Sequence, residues 1–160
     1  MPAAKTAAKI SELINNLSKT YQTAAFSPHI TLLSGITDSE EIALQKLKNW
    51  ATQLTPIRAE LTSIAYLELY YKCLFFNAAG SEDLLIARQE AEELFTHTNI
   101  QPFIPHISFL YGNLPIFKKQ EIISELGDSF LQSIILDKIQ LVKTERAVEE
   151  WRVLAEIELK

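Results

Sequence analysis

The sequence predicts an α+β fold built from two halves of similar plan, with antiparallel sheets, outer helices and a central cleft. Three observations carry that reading. Pro28-His29-Ile30-Thr31-Leu32-Leu33-Ser34-Gly35 recurs about half a chain later as Pro105-His106-Ile107-Ser108-Phe109-Leu110-Tyr111-Gly112. The order of elements repeats with it: helix, motif strand, helix, strands, then the same again. Strands come in adjacent runs rather than as regular βαβ units, which points away from a parallel sheet. Two copies of this length are too few and too long for a solenoid, so residues 1–160 read as one two-lobed domain with motifs at 29–32 and 106–109.

The elements follow from local pattern. Ile10, Leu13, Ile14 and Leu17 recur at helical spacing, predicting an amphipathic helix over about 6–21. A strand is expected over Phe26–Ser34, carrying the first motif. Thr37-Asp38-Ser39-Glu40-Glu41 is a helix start with acidic residues in its first turn, and Pro56 ends that helix after Leu54. Two strands rich in Ile, Leu, Tyr and Phe are expected over Ile57–Leu69 and Tyr70–Ala78. Gly80-Ser81-Glu82-Asp83 caps a helix running to about Thr96, and the second motif strand covers about Ile104–Leu110. Gly112-Asn113-Leu114-Pro115 is a turn, Phe117–Leu126 a helix stopped by Gly127, and Phe130–Lys143 with Trp151–Leu159 a closing strand pair.

Composition narrows the function. The net charge is −5, which argues against a protein that grips long nucleic acid through backbone phosphates. With 4 Gly and 6 Pro, extended flexible linkers are not expected. The single cysteine, Cys73, lies in an apolar run and reads as a small buried hydrophobe. No membrane span and no secretory or Arg-rich targeting segment is evident, so the expected compartment is the cytosol. Neither a P-loop, nor a dinucleotide glycine fingerprint, nor a Gly-x-Ser-x-Gly elbow occurs, and no metal-ligand spacing of His and Cys is found.

The repeated motif carries the chemistry. On an extended strand, residues two apart share a face, so His29 with Thr31 and His106 with Ser108 point the same way while Ile30 and Ile107 face inward. Two imidazoles can supply both a base and an acid near neutral pH, and two hydroxyls can donate to phosphoryl oxygens. A duplication kept for structure alone would also retain both histidines, and the pattern by itself leaves both readings standing. The third histidine, His97, sits near a helix end and reads as a surface or helix-terminal residue. Pro28 and Pro105 favour an extended residue before each motif, and Gly35 and Gly112 permit tight turns or close backbone approach after it.

These paired tetrads, His29-Ile30-Thr31-Leu32 and His106-Ile107-Ser108-Phe109, resemble the two-histidine phosphoesterase superfamily, and within it the cyclic phosphodiesterase branch of plants and fungi. The extended second motif, the run Tyr71-Lys72-Cys73-Leu74-Phe75 and the closing Trp151-Arg152-Val153-Leu154-Ala155-Glu156-Ile157 support that branch. The resemblance implies a two-lobed fold with pseudo-two-fold symmetry and no metal or organic cofactor. It also implies opening of a small cyclic phosphate, either a nucleoside 2′,3′-cyclic phosphate to the 2′-phosphate or ADP-ribose 1″,2″-cyclic phosphate to the 1″-phosphate. His106 is taken as base towards water, His29 as acid towards the leaving oxygen, Thr31 and Ser108 as phosphoryl-binding hydroxyls, and Tyr111 as a substrate-facing aromatic. A monomer acting on a small nucleotide, with no membrane partner, is expected. The alternatives are an RNA-end cyclic phosphodiesterase and a non-catalytic nucleotide-binding or interaction module. One departure stands out: members usually open with an aromatic-rich strand that floors the site, whereas Pro2-Ala3-Ala4-Lys5-Thr6-Ala7-Ala8-Lys9 resembles no strand.

Overall fold

In the computed structural model, which describes residues 1–160, the first helical pattern becomes helix α1 (Ala4–Tyr21), whose Ile10 and Ile14 are fully buried. Helix α2 (Glu40–Ala51) starts where Ser39 accepts from the Ile42 amide, and Glu40 and Glu41 face the positive end of its dipole. Strand β1 (Ile57–Ala65) and strand β2 (Leu74–Ala79) are joined by a segment ending in a 3-10 turn at Tyr70–Lys72. Ser81 caps helix α3 (Glu82–Leu94), strand β3 (His106–Leu110) follows, and Pro115 precedes helix α4 (Ile116–Leu126). Gly127 ends α4 with a φ of 50°, as expected of a helix stop.

The strands form two antiparallel groups. Four of them order as β3-β2-β1-β4, with β4 at Ser133–Leu136; β5 (Lys138–Lys143) and β6 (Arg152–Glu158) make a separate pair. Helix α1 lies against β3, α3 against β1, and α2 against β5 and β6. One core of 26 buried residues runs through all of these layers, with Phe76 and Phe109 at its centre, their rings 4.5 Å apart. Cys73 is fully buried in it.

Three expectations need correction. The expected strand over Phe26–Ser34 carries no ladder, and no main-chain hydrogen bond forms between Ala24 and Ser34. Alternation of side chains sets which residues turn inward, and that much holds: Pro28 and Ile30 are buried while Thr31 is exposed. A ladder also needs main-chain pairing with a neighbouring strand, and this segment makes none. The expected strands Ile57–Leu69 and Tyr70–Ala78 lose their facing ends, because Tyr66–Cys73 forms the turn between β1 and β2. The expected strand Phe130–Lys143 divides at Asp137, β4 pairing with β1 and β5 with β6. At the N-terminus Met1–Ala3 runs antiparallel to residues 135–138 before α1 begins, a short pairing that the sequence pattern did not signal. Pro2 bridges Leu136, Ala3 N donates to Ile135 O at 2.8 Å, Asp137 N donates to Met1 O at 3.1 Å and the Met1 amine donates to Lys138 O at 2.6 Å.

The end of the first motif is fixed by a short crossing. Thr98 N donates to Gly35 O at 2.9 Å, Thr37 N donates to Thr96 O at 2.8 Å, and Ile36 bridges His97. His97 is therefore a half-buried joint residue beyond the end of α3, rather than a residue of the helix terminus. Gly35 has φ +69°, and a Cβ there would sit 2.7 Å from Thr98 Oγ1. Gly35→Ala should lower stability by at least the ~1–2 kcal/mol cost of a left-handed residue, measured by urea unfolding. In a Thr98→Ala background the steric part disappears and the φ part remains.

Candidate active site

Each motif positions its imidazole by the same local device. His29 Nδ1 lies 2.7 Å from Ser27 O, and His106 Nδ1 lies 2.7 Å from Ile104 O. A carbonyl oxygen can only accept, so Nδ1 carries the proton in both rings and Nε2 is left as the working atom. The His106 ring is further set by the edge of Phe75, with centroids 5.1 Å apart, and the His29 ring by Phe26 at 6.4 Å. Both histidines line one cleft of about 960 Å³, at the upper end of the ~300–1,000 Å³ range of small-ligand pockets.

Electrostatics favour the neutral form of both rings. Burial depresses His29 most; the Ser27 carbonyl opposes this, while the Met1 amine and His106 add to it. Burial likewise depresses His106, the Ile104 carbonyl opposes it, and the Lys72 ammonium lowers it further. The two imidazoles thus sense each other across the cleft, and protonating both at once is disfavoured.

The hydroxyls differ between the halves. Thr31 is exposed on the cleft wall and its hydroxyl has no protein partner. Ser108 is buried, and its hydroxyl donates to Tyr71 O at 2.9 Å. A serine has one proton to give, so in this arrangement Ser108 presents no donor to a ligand, unlike the expectation drawn from sequence. Tyr111 is also buried, stacked on Phe26 at 3.7 Å and flanked edge-on by Tyr71 at 5.3 Å. Burial, then Tyr71 and Tyr70, hold its phenol well above the usual range and therefore protonated. Tyr111 lines the cleft as part of an aromatic wall with Tyr71 and Trp151.

Two cations escaped the sequence reading. Arg88 on α3 is buried; its guanidinium donates to the Leu32 carbonyl in the first motif and to Glu92, and lies 5.4 Å from the Phe103 ring just before the second motif. Lys72, in the 3-10 turn, lines the cleft half-buried. Arg88 sits in an ordinary helical pattern and Lys72 in an aromatic run, and no local spacing marks either as facing the motifs. No group of three or more His, Cys, Asp or Glu comes together in a way that could hold a metal ion.

A two-lobed α+β scaffold with one imidazole from each half on a shared cleft defines a two-histidine phosphoesterase type of fold. A family model described as cyclic phosphodiesterase-like protein matches residues 1–159, so the chain belongs to the cyclic phosphodiesterase-like family and is an enzyme of that class. A cyclic phosphodiesterase of Arabidopsis thaliana is 22% identical over 162 residues, covering 97% of this chain and 90% of the relative. No helix is long and apolar enough to cross a membrane.

In the free protein, both imidazoles should titrate below the ordinary histidine value of about 6.5, as read from their ring-proton NMR shifts against pH. A value above 7 for either would contradict the burial described here.

Proposed function

We propose that this cleft hydrolyses the cyclic phosphate of a small nucleotide, a nucleoside 2′,3′-cyclic phosphate to the 2′-phosphate or ADP-ribose 1″,2″-cyclic phosphate to the 1″-phosphate. The observation that carries the reading is the matched pair of imidazoles, each with Nδ1 tied to the carbonyl two residues upstream and Nε2 left to exchange a proton. In the reaction, neutral His106 takes a proton from water as the water oxygen bonds to phosphorus. The bond from phosphorus to one ring oxygen breaks, and protonated His29 gives that oxygen its proton. One water is consumed and a phosphate monoester leaves, with both proton transfers assigned to imidazoles.

Thr31 is the hydroxyl free to donate to a phosphoryl oxygen where charge builds. Ser108 reaches the same group by turning its proton away from Tyr71 O, exchanging one hydrogen bond for another. Tyr111, with Tyr71 and Trp151, supplies the aromatic wall for the remainder of the nucleotide. The acidic chain suits a small substrate better than a long RNA.

His29→Ala and His106→Ala should each cut kcat by about 10²–10⁴-fold with unchanged thermal unfolding, measured on 2′,3′-cyclic AMP with product analysis. Near-full turnover by either variant would sink the two-histidine mechanism. Because Thr31 is already free to donate and Ser108 is not, Thr31→Ala should cost more than Ser108→Ala, the former about 10²-fold. Comparing the cyclic mononucleotide with a cyclic-phosphate-ended oligonucleotide separates the RNA-end reading, which predicts faster turnover of the oligomer.

The two-histidine assignment also requires a bell-shaped pH dependence of kcat/KM. The base must be neutral and the acid protonated, and both rings are depressed in the free enzyme. The optimum should therefore fall on the acid side of about pH 6.5. Binding of an anionic substrate raises both imidazoles, so the optimum of kcat should lie at higher pH than that of kcat/KM.

A further inference from the structure

Four side-chain cations line the cleft: Lys72, Arg88, Lys138 and Lys143. Three are occupied. Arg88 pairs with Glu92, Lys138 with Glu156 and Glu158, and Lys143 with Glu40 and Glu145. Lys72 alone makes no ion pair and no side-chain hydrogen bond, although it is half-buried and the chain as a whole is acidic. An ammonium on the cleft wall with no protein counter-charge is free to take an anionic oxygen there.

Its mount is fixed to the second motif. The Tyr71 carbonyl next to Lys72 accepts from Ser108 at 2.9 Å, and the Tyr70 carbonyl accepts from Gly112 N at 2.9 Å. Within the turn, Lys72 N donates to Leu69 O at 3.0 Å and Leu67 N donates to Lys72 O at 2.9 Å. Gly112 has φ +147°, and a Cβ there would meet Thr23 at 3.2 Å, so the chain leaves the second motif in one constrained direction. The hydrogen bond that takes the Ser108 proton thus holds the residue beside Lys72 against the catalytic strand.

We propose that Lys72 is the phosphate-binding cation of the second lobe, contacting a non-bridging oxygen of the cyclic phosphate from the turn that Ser108 holds against β3. This assignment rests on the function proposed above and deepens it. The two halves then present different donors, a free hydroxyl at Thr31 and an ammonium at Lys72, so a site built from a repeat acquires a direction. The groups bearing on His106 agree: Lys72 from the turn is the charge that acts on it, His29 faces it from the other half, and β2 offers only the Phe75 ring and Asn77.

The test compares Lys72→Gln and Lys72→Arg with the parent on 2′,3′-cyclic AMP, following KM, kcat and the pH dependence of kcat/KM. Loss of the cation lets the His106 value rise, and a base works only above its own value, so the acid limb should move to higher pH. Lys72→Gln should also raise KM by tenfold or more, while Lys72→Arg keeps KM and the limb near those of the parent. A KM within twofold of the parent and an unmoved limb in Lys72→Gln would overturn the proposal. If the parent itself turns over no cyclic phosphate, the function proposed above fails, and calorimetric binding of adenosine 2′-monophosphate decides the cation separately. Binding lost in Lys72→Gln and kept in Lys72→Arg upholds the anion site; equal binding in all three proteins overturns it.

Discussion

A buried guanidinium joins the two halves of this site. Arg88 belongs to α3, yet it donates to the Leu32 carbonyl in the first motif and lies over Phe103 on the approach to the second. The first motif makes no main-chain hydrogen bond from Ala24 to Ser34, so side chains must hold what a ladder would otherwise hold. Ser18 takes the Ala24 carbonyl, His29 takes that of Ser27, and Arg88 that of Leu32. Removing Arg88 leaves the Leu32 carbonyl without its donor, at a cost of about 1–3 kcal/mol. Placement of His29 therefore depends on a residue more than fifty positions away that never enters the chemistry.

The repeat has kept local geometry and given up global pairing. Both imidazoles are oriented by a carbonyl two residues upstream at the same 2.7 Å, a contact that needs only the motif itself. The surroundings diverge: β3 is zipped to β2 within a four-stranded sheet, while the first motif is hydrogen-bonded into neither that sheet nor the β5–β6 pair. Short-range hydrogen bonds travel with a duplicated segment; sheet partners have to be supplied by the rest of the chain.

This division explains what could be read from the sequence. The helices were legible because Ile10 and Ile14, or Leu47, Trp50 and Ala51, recur at helical spacing, and Ser39 and Ser81 mark their starts. The facing of His29 and His106 on one cleft was legible because they occupy the same place in a repeat. The break at Asp137 was not, since Ser133–Leu136 and Lys138–Lys143 have the same extended character and only tertiary partners separate them. The Ser108 hydrogen bond was equally hidden: its acceptor, Tyr71 O, is main chain and comes from a turn that the pattern of aromatics disguises as strand. Arg88 and Lys72 look like any solvated cation until the fold turns them inward.

The missing ladder also sets how the two walls of the cleft can move. Opening the second wall means separating β3 from β2 along a register that includes His106–Asn77 and Phe75–Ser108, together with the fully buried Phe109. Opening the first breaks no ladder, only a few side-chain bonds to carbonyls and the packing of Ile30, and segments with so few main-chain bonds sit at the low end of local stability. Hydrogen exchange will accordingly divide the repeat, fast through Phe26–Ser34 and slow through His106–Leu110. The cleft works as a vice with one fixed jaw and one adjustable jaw, and the span it can grip is set by the first motif.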